Sequence, residues 1–184
     1  MSLTTEMLQS LVGIESEVTK GTDEVCRPMI RHYCEVMEDA NPLYHDDAYA
    51  KNSRYGEIIA PPTQVQVYTM NPLWPKVERE KNSMENLVDL LKEHGYSSIV
   101  ATAQVQEYFE PMKIGDDISY TLSVKEISPL KQTARGPGYF STFLYTFLNQ
   151  RNEVVCKQSF TILSYQAQVQ EYEEWEWKRR HMQA

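Results

Sequence analysis

The chain has 184 residues, 41% of them hydrophobic and 24% charged, and a formal net charge of -8. That length suits one large domain, or one domain with a tail, and the composition is that of a globular protein with a real core rather than a disordered or fibrous chain. The acidic balance excludes nucleic-acid or anionic-membrane binding through a general field, so an anionic ligand has to be held by a local cluster of cations.

The N-terminal stretch "MSLTTEMLQSLVGIES" has neither a basic start nor a continuous apolar run, and so does not read as a secretory signal. No segment reaches the roughly eighteen apolar residues of a membrane span, and a cytoplasmic location is expected. Cys26, Cys34 and Cys156 are odd in number and lack metal-site spacing. They read as small core residues, with no disulfide framework, metal or cofactor expected.

From Pro28 to Glu38 the sequence predicts a helix with Ile30, Tyr33, Cys34 and Met37 on its inward stripe and Pro28 in the first turn. His32 falls off that stripe and reads as solvated. The loop "DANPLY" ends the helix, and Asp46 or Asp47 can cap a second short helix closed by Gly56. In "EIIAPPTQVQVYTMNPLWP", prolines at 61, 62, 72 and 75 confine any helix to about ten residues. Met84, Leu87, Val88 and Leu91 then form an apolar stripe before Gly95, with His94 as a C-terminal cation.

After Tyr96 the period changes. "SSIVATAQVQEYF", "DDISYTLSVKEI", "YFSTFLYTFLNQ" and "EVVCKQSFTILSY" are β-branched and aromatic, and "ISYTLSV" alternates strictly. Four strands are expected, separated by turn-rich breaks at "EPMKIGDD" and "NQRNE", so much of the sheet should be antiparallel with the helices on one face. Residues 1–165 read as one α+β domain and residues 166–184 as a charged, helical C-terminal tail.

This order, and a loop with Asp39, Asn41 and Pro42 before a central helix, resembles the hot-dog fold of MaoC-like enoyl-CoA hydratases, in which an antiparallel sheet wraps a central helix. The family signature Asp-x-Asn-Pro-aliphatic-His stands here as Asp39, Ala40, Asn41, Pro42 and Leu43, with Tyr44 in place of the histidine. The segments "YGEIIAPPT", "SSIVATAQVQEYFEPMKIGDDI", "GPGYFSTFLYTF" and "NEVVCKQSFTIL" are similar to the large-subunit type with a FAS1-like dehydratase N-terminal domain. The likeness runs from about Val25 to Tyr165 and is nearest in phrasing to large subunits of heteromeric steroid side-chain hydratases.

The resemblance implies an acyl-CoA thioester substrate and hydration of a trans-2-enoyl group, or the reverse dehydration. That chemistry needs a base for water, an acid for the neighbouring carbon and donors for the enolate-like oxygen. The family uses Asp and His for the first two, which maps the pair onto Asp39 and Tyr44. A phenol with a pKa near 10 does not cycle protons at neutral pH as imidazole does, and an ionised carboxylate has no proton to give. His45 is the adjacent candidate replacement.

The family's His-Gly pair, whose amides face the thioester oxygen, falls on Ala60 and Pro61, followed by Pro62. Proline has no N–H, and Thr63 offers the first free amide. Lys131 and Arg135 in "KQTARGPG" are candidate phosphate ligands for coenzyme A, and equally read as solvated loop charges.

Asp39 and Asn41 equally read as Asx residues capping local backbone. The shortened central helix leaves room for a bulky acyl group, unless Trp74 and residues 76–95 fill it. Three functions follow. The first is a pocket-forming, catalytically degenerate subunit paired with a small MaoC-like chain. The second is a self-sufficient homodimeric dehydratase using Asp39 and His45. The third is an acyl-CoA binding module without chemistry.

Overall fold

Alternation through residues 119–127 puts Tyr120, Leu122 and Val124 on one side of a strand, and that side is buried. In the computed structural model, which describes residues 3–75 and 79–167, this strand belongs to a 6-stranded sheet. The elements in chain order are α1 (Thr5–Gln9), β1 (Thr19–Lys20), α2 (Arg27–Met37), a 3-10 turn at Pro42–Tyr44, α3 (Asp47–Lys51) and a 3-10 segment at Pro62–Thr69. They continue with α4 (Ser83–Glu93), β2 (Ser98–Tyr108), β3 (Ser119–Ile127), β4 (Lys131–Thr133), β5 (Gly136–Leu148) and β6 (Val154–Tyr165). The sheet order is β1-β3-β5-β6-β2, with β4 beside β5, and every named pair is antiparallel.

The four expected long strands are present. "NQRNE" closes the β5–β6 hairpin, whereas "EPMKIGDD" joins β2 to β3, which lie far apart in the sheet and do not pair. β2 pairs only with β6, so an 11-residue strand forms one edge of the sheet. β1 and β4 were not expected, being too short to carry a period.

The central segment is a 3-10 helix rather than an α-helix. Pro61 and Pro62 remove two N–H donors at its start, Thr63, Val65, Val67 and Thr69 are β-branched, and Asn71-Pro72 closes the other end. Over eight residues the 3-10 rise of about 2.0 Å per residue carries the chain roughly a third further than an α-helix would. Gln64, Val65, Tyr68 and Thr69 are buried, and Val65 and Tyr68 share one core with Leu122, Phe143 and Phe147. The segment is tied to α2 by Gln64 Nε2 donating to the Met29 carbonyl at 2.9 Å and by the Tyr33 hydroxyl donating to Thr63 Oγ1 at 2.9 Å.

Other expectations need correction. Met37 is 60% exposed because α2 presents only Ile30 fully to the core, and the second short helix ends at Lys51, well before Gly56. Trp74 is 85% exposed and fills no gap, whereas Leu87 and Leu91 of α4 are completely buried. The expected C-terminal helix lies outside the described residues. At the end of the described residues the Gln166 N–H donates to the Pro137 carbonyl at 3.0 Å. Among the described residues no helix is long and apolar enough to cross a membrane.

Gly21 marks the tightest approach in this packing. Its N–H donates to the Ile118 carbonyl at 2.8 Å, and a Cβ there would meet that oxygen at 2.7 Å and the Tyr68 carbonyl oxygen closer still. Gly21→Ala is expected to cost about 1–3 kcal/mol through overpacking, read as a lower urea midpoint with unchanged slope.

Burial pushes the Cys156 thiol up to about 11. Its folded-state pKa therefore lies above the unfolded one, and the associated stability is intact below about pH 9 and lost as pH rises through about 11. Urea midpoints should fall across that window, and fall less in Cys156→Ala.

Candidate functional site

The loop after α2 is built from consecutive side-chain caps. α2 ends at Glu38 with φ 54°, a left-handed conformation that favours glycine, and the amides of Glu38 and Asp39 both return to the Cys34 carbonyl. Asp39 Oδ1 accepts the Asn41 N–H at 3.0 Å, and Asn41 Oδ1 accepts the Leu43 N–H at 3.1 Å. Asp46 Oδ1 accepts the Tyr49 N–H at 2.9 Å and starts α3. Three acidic or amide side chains thus each give an oxygen to a backbone donor within a few residues, as expected for Asx residues around a proline. Arg27 holds Asp47 with two hydrogen bonds of 2.8 and 3.2 Å, which ties α3 back to the start of α2.

The loop and α2 enclose an open cleft of about 290 Å³ with Asp39, Tyr44 and His45 on its wall, beside Arg31 and Glu35. The sequence-selected trio is therefore brought together. Tyr44 is half-buried and packs against the core, whereas His45 is exposed. Burial, then the Asp39 carboxylate, hold the Tyr44 phenol above its ordinary value, with a hydrogen bond to Asn41 opposing. Tyr44 is accordingly a neutral hydrogen-bond donor at physiological pH, while an ionised Asp39 is an acceptor only. Burial, then Asp39, also raise the Cys34 thiol on the same wall.

Asn41 is a cap rather than a wall residue of this cleft. Pro61 is buried and Thr63 is exposed, with its hydroxyl engaged by Tyr33. Pro62 lines a second cavity of about 420 Å³, together with Ile59, Met112, Val155, Arg54 and Phe109. Residues 59 and 60 join the loop to the wall of this second cavity. The Ile59 N–H reaches the Leu43 carbonyl at 3.4 Å, and the Ala60 N–H reaches that of Met112 at 2.9 Å.

Lys131 and Arg135 stand on the β4–β5 hairpin, with the Lys131 ammonium 5.4 Å over the Phe140 ring, and line neither cavity. His32 is exposed as expected, and His94 Nδ1 lies 2.8 Å from the Leu90 carbonyl at the end of α4. Among the described residues no group of three or more His, Cys, Asp and Glu is placed to hold a metal ion.

An antiparallel sheet closed around a short central segment, with an Asp-x-Asn-Pro loop at the head of that segment, defines a hot-dog dehydratase fold. The chain belongs to the FAS1-like dehydratase domain region family, whose model matches residues 10–158. It is 40% identical over 170 residues to a probable enoyl-CoA hydratase alpha subunit of Thermomonospora curvata, covering 91% of this chain and 53% of that relative. The chain thus spans about half the length of that curated relative. Its fold is similar to the crystal structure of the ChsH1-ChsH2 complex from Mycobacterium tuberculosis, with TM-score 0.82 and 29% identity over 88% of this chain and 95% of that one. The MaoC-like dehydratase from Rhodospirillum rubrum shares the fold at TM-score 0.60 and 20% identity, over 91% of this chain and 100% of that one.

Sequence reasoning missed Arg54, Tyr55, Tyr108 and Phe109 as a cavity group. Both pairs were visible as "RY" and "YF", yet they lie some fifty residues apart in the chain and meet only through the fold.

If Asn41 serves as a cap, Asn41→Ala should cost about 1 kcal/mol of stability in the isolated chain, measured by thermal unfolding. An unchanged midpoint would remove the scaffold role assigned to it.

Proposed function

We propose that this chain is the pocket-forming, catalytically incomplete half of a cytoplasmic enoyl-CoA hydratase, paired with a small MaoC-like subunit that carries an intact Asp and His. The observation that carries this reading is Tyr44. A half-buried phenol whose proton is held more tightly than usual stands at the sequence position where the family signature has histidine, which supports the reading. It donates a hydrogen bond, but it does not take a proton from water at neutral pH and hand it on.

Two further features support it. Pro61 and Pro62 supply no N–H at the head of the central segment, so this chain is short of donors for a developing oxyanion. β2 is a long edge strand with Ile99, Val105 and Tyr108 exposed, and such an edge is stable in solution when a partner strand or covering element satisfies it. In this arrangement the partner performs the proton transfers, and this chain contributes apolar wall from Ile59, Met112 and Val155.

The purified chain alone should hydrate no enoyl-CoA, and coexpression with a small hot-dog subunit carrying Asp-x-Asn-Pro-x-His should give hydration. Full activity of the chain by itself would sink the reading. Val105→Lys on the edge strand should abolish copurification of the partner while leaving the chain folded.

A homodimeric dehydratase is the second reading, favoured by Asp39 and His45 sharing one cleft. It requires turnover by the chain alone and its loss in His45→Ala.

A further inference from the structure

We propose that the β4–β5 hairpin is the docking surface for the chain's own C-terminal segment, with Lys131 and Arg135 holding the acidic stretch at 171–176 and the aromatic side chains of that stretch covering Leu130 and Phe140. Nothing in this docking depends on the hydratase reading.

The chain has 26 Asp and Glu against 18 Lys and Arg, so most of its cations find a carboxylate nearby. Arg27, Arg31, Arg79, Lys81, Lys113 and Arg151 are each paired in this way. Among the described residues Lys131 and Arg135 are both exposed and in no ion pair. The Lys131 ammonium lies 5.4 Å over the Phe140 ring, and Leu130 beside it is 48% exposed. The hairpin thus presents positive charge and uncovered apolar area together. Neither cation lines the Asp39 cleft or the cavity beside Pro62, so the pair is not placed to hold a ligand in either.

The chain itself brings the opposite charge to this place. Lys131, Gly138 and Tyr165 stand in one cross-strand row of β4, β5 and β6, which sets Lys131 two strand spacings, about 10 Å, from the last residue of β6. The Gln166 N–H then donates to the Pro137 carbonyl, so the backbone leaves β6 along β5 toward the hairpin turn, where Arg135 stands. Glu171 comes five residues after Gln166, a reach of up to about 17 Å, which covers that distance. The stretch "EYEEWE" at 171–176 carries four carboxylates and no cation, interleaved with Tyr172 and Trp175. Its charge suits the hairpin pair and its rings suit Leu130 and Phe140. Exposed ion pairs are individually weak, but a tether this short gives an effective concentration of about millimolar, so a few weak contacts suffice.

A second apolar surface lies near the exit, a groove between α4 and the sheet lined by Met84, Val88, Ile99, Phe160 and Ile162. Its lining carries Glu85 and Asp89 against a single cation, Lys81, which disfavours the 171–176 stretch. Ile99 also belongs to the edge strand that the pairing reading gives to the partner. The hairpin is separated from β2 by β5 and β6, and so remains available while β2 is paired.

The test is acrylamide quenching of the whole 184-residue chain carrying Trp74→Phe, a change at an exposed side chain that leaves Trp175 and Trp177 as its indoles. At low salt the quenching should be weak, and Lys131→Glu with Arg135→Glu should raise the quenching constant by about twofold. Adding Glu173→Lys and Glu174→Lys to that reversed hairpin should restore the protection, which a change in the hairpin's own folding would not do.

Quenching as strong as that of a free indole in the Trp74→Phe chain, or protection unmoved by the hairpin reversal, would overturn the proposal. Protection lost in Val88→Glu while the hairpin reversal is silent assigns the segment to the groove, and protection lost on dilution assigns it to a second copy. Either result overturns the docking on the hairpin as well.

Discussion

The core of the described residues depends on an eight-residue segment, Pro62–Thr69, that shares its burial with the antiparallel sheet. Two prolines deprive the segment of N–H donors at its start, and four β-branched residues along it disfavour the α-helix. The extended 3-10 path that results still buries Val65 and Tyr68 against Leu122, Phe143 and Phe147. The same segment meets Gly21 at the Tyr68 carbonyl and holds α2 through Gln64 and Thr63.

The Asp39 loop is a scaffold whose shape rests on its own side-chain caps. Asp39, Asn41 and Asp46 all work as caps, so the loop's conformation survives without a histidine at its end. A tyrosine there packs on the core and presents a protonated hydroxyl. β2 leaves an open edge with Ile99, Val105 and Tyr108 exposed, and a cavity lined by Tyr108 and Phe109 lies at its C-terminal end.

Four strands were legible because each keeps a β-branched, aromatic pattern, and the strict alternation of "ISYTLSV" matched the buried side of β3. The site loop was legible because Asp, Asn and Pro impose turn chemistry locally. The 3-10 character of the central segment was not, since short helices of both kinds bury i and i+3 alike. Met37 was misassigned for a related reason: helical spacing defines a stripe, but which part of the stripe meets a neighbour depends on where that neighbour stops.

The sequence by itself determined the α+β class of fold and the turn chemistry of the Asp39–Pro42 loop, because both are properties of residue types at fixed local spacing, and the resemblance to the family signature marked Tyr44. Tertiary structure alone decided which strands pair, that Asp39, Tyr44 and His45 share a cleft, and that Lys131 and Tyr165 stand in one cross-strand row. Those depend on contacts between segments far apart in the chain, where backbone pairing and burial, rather than neighbouring side chains, set the distances.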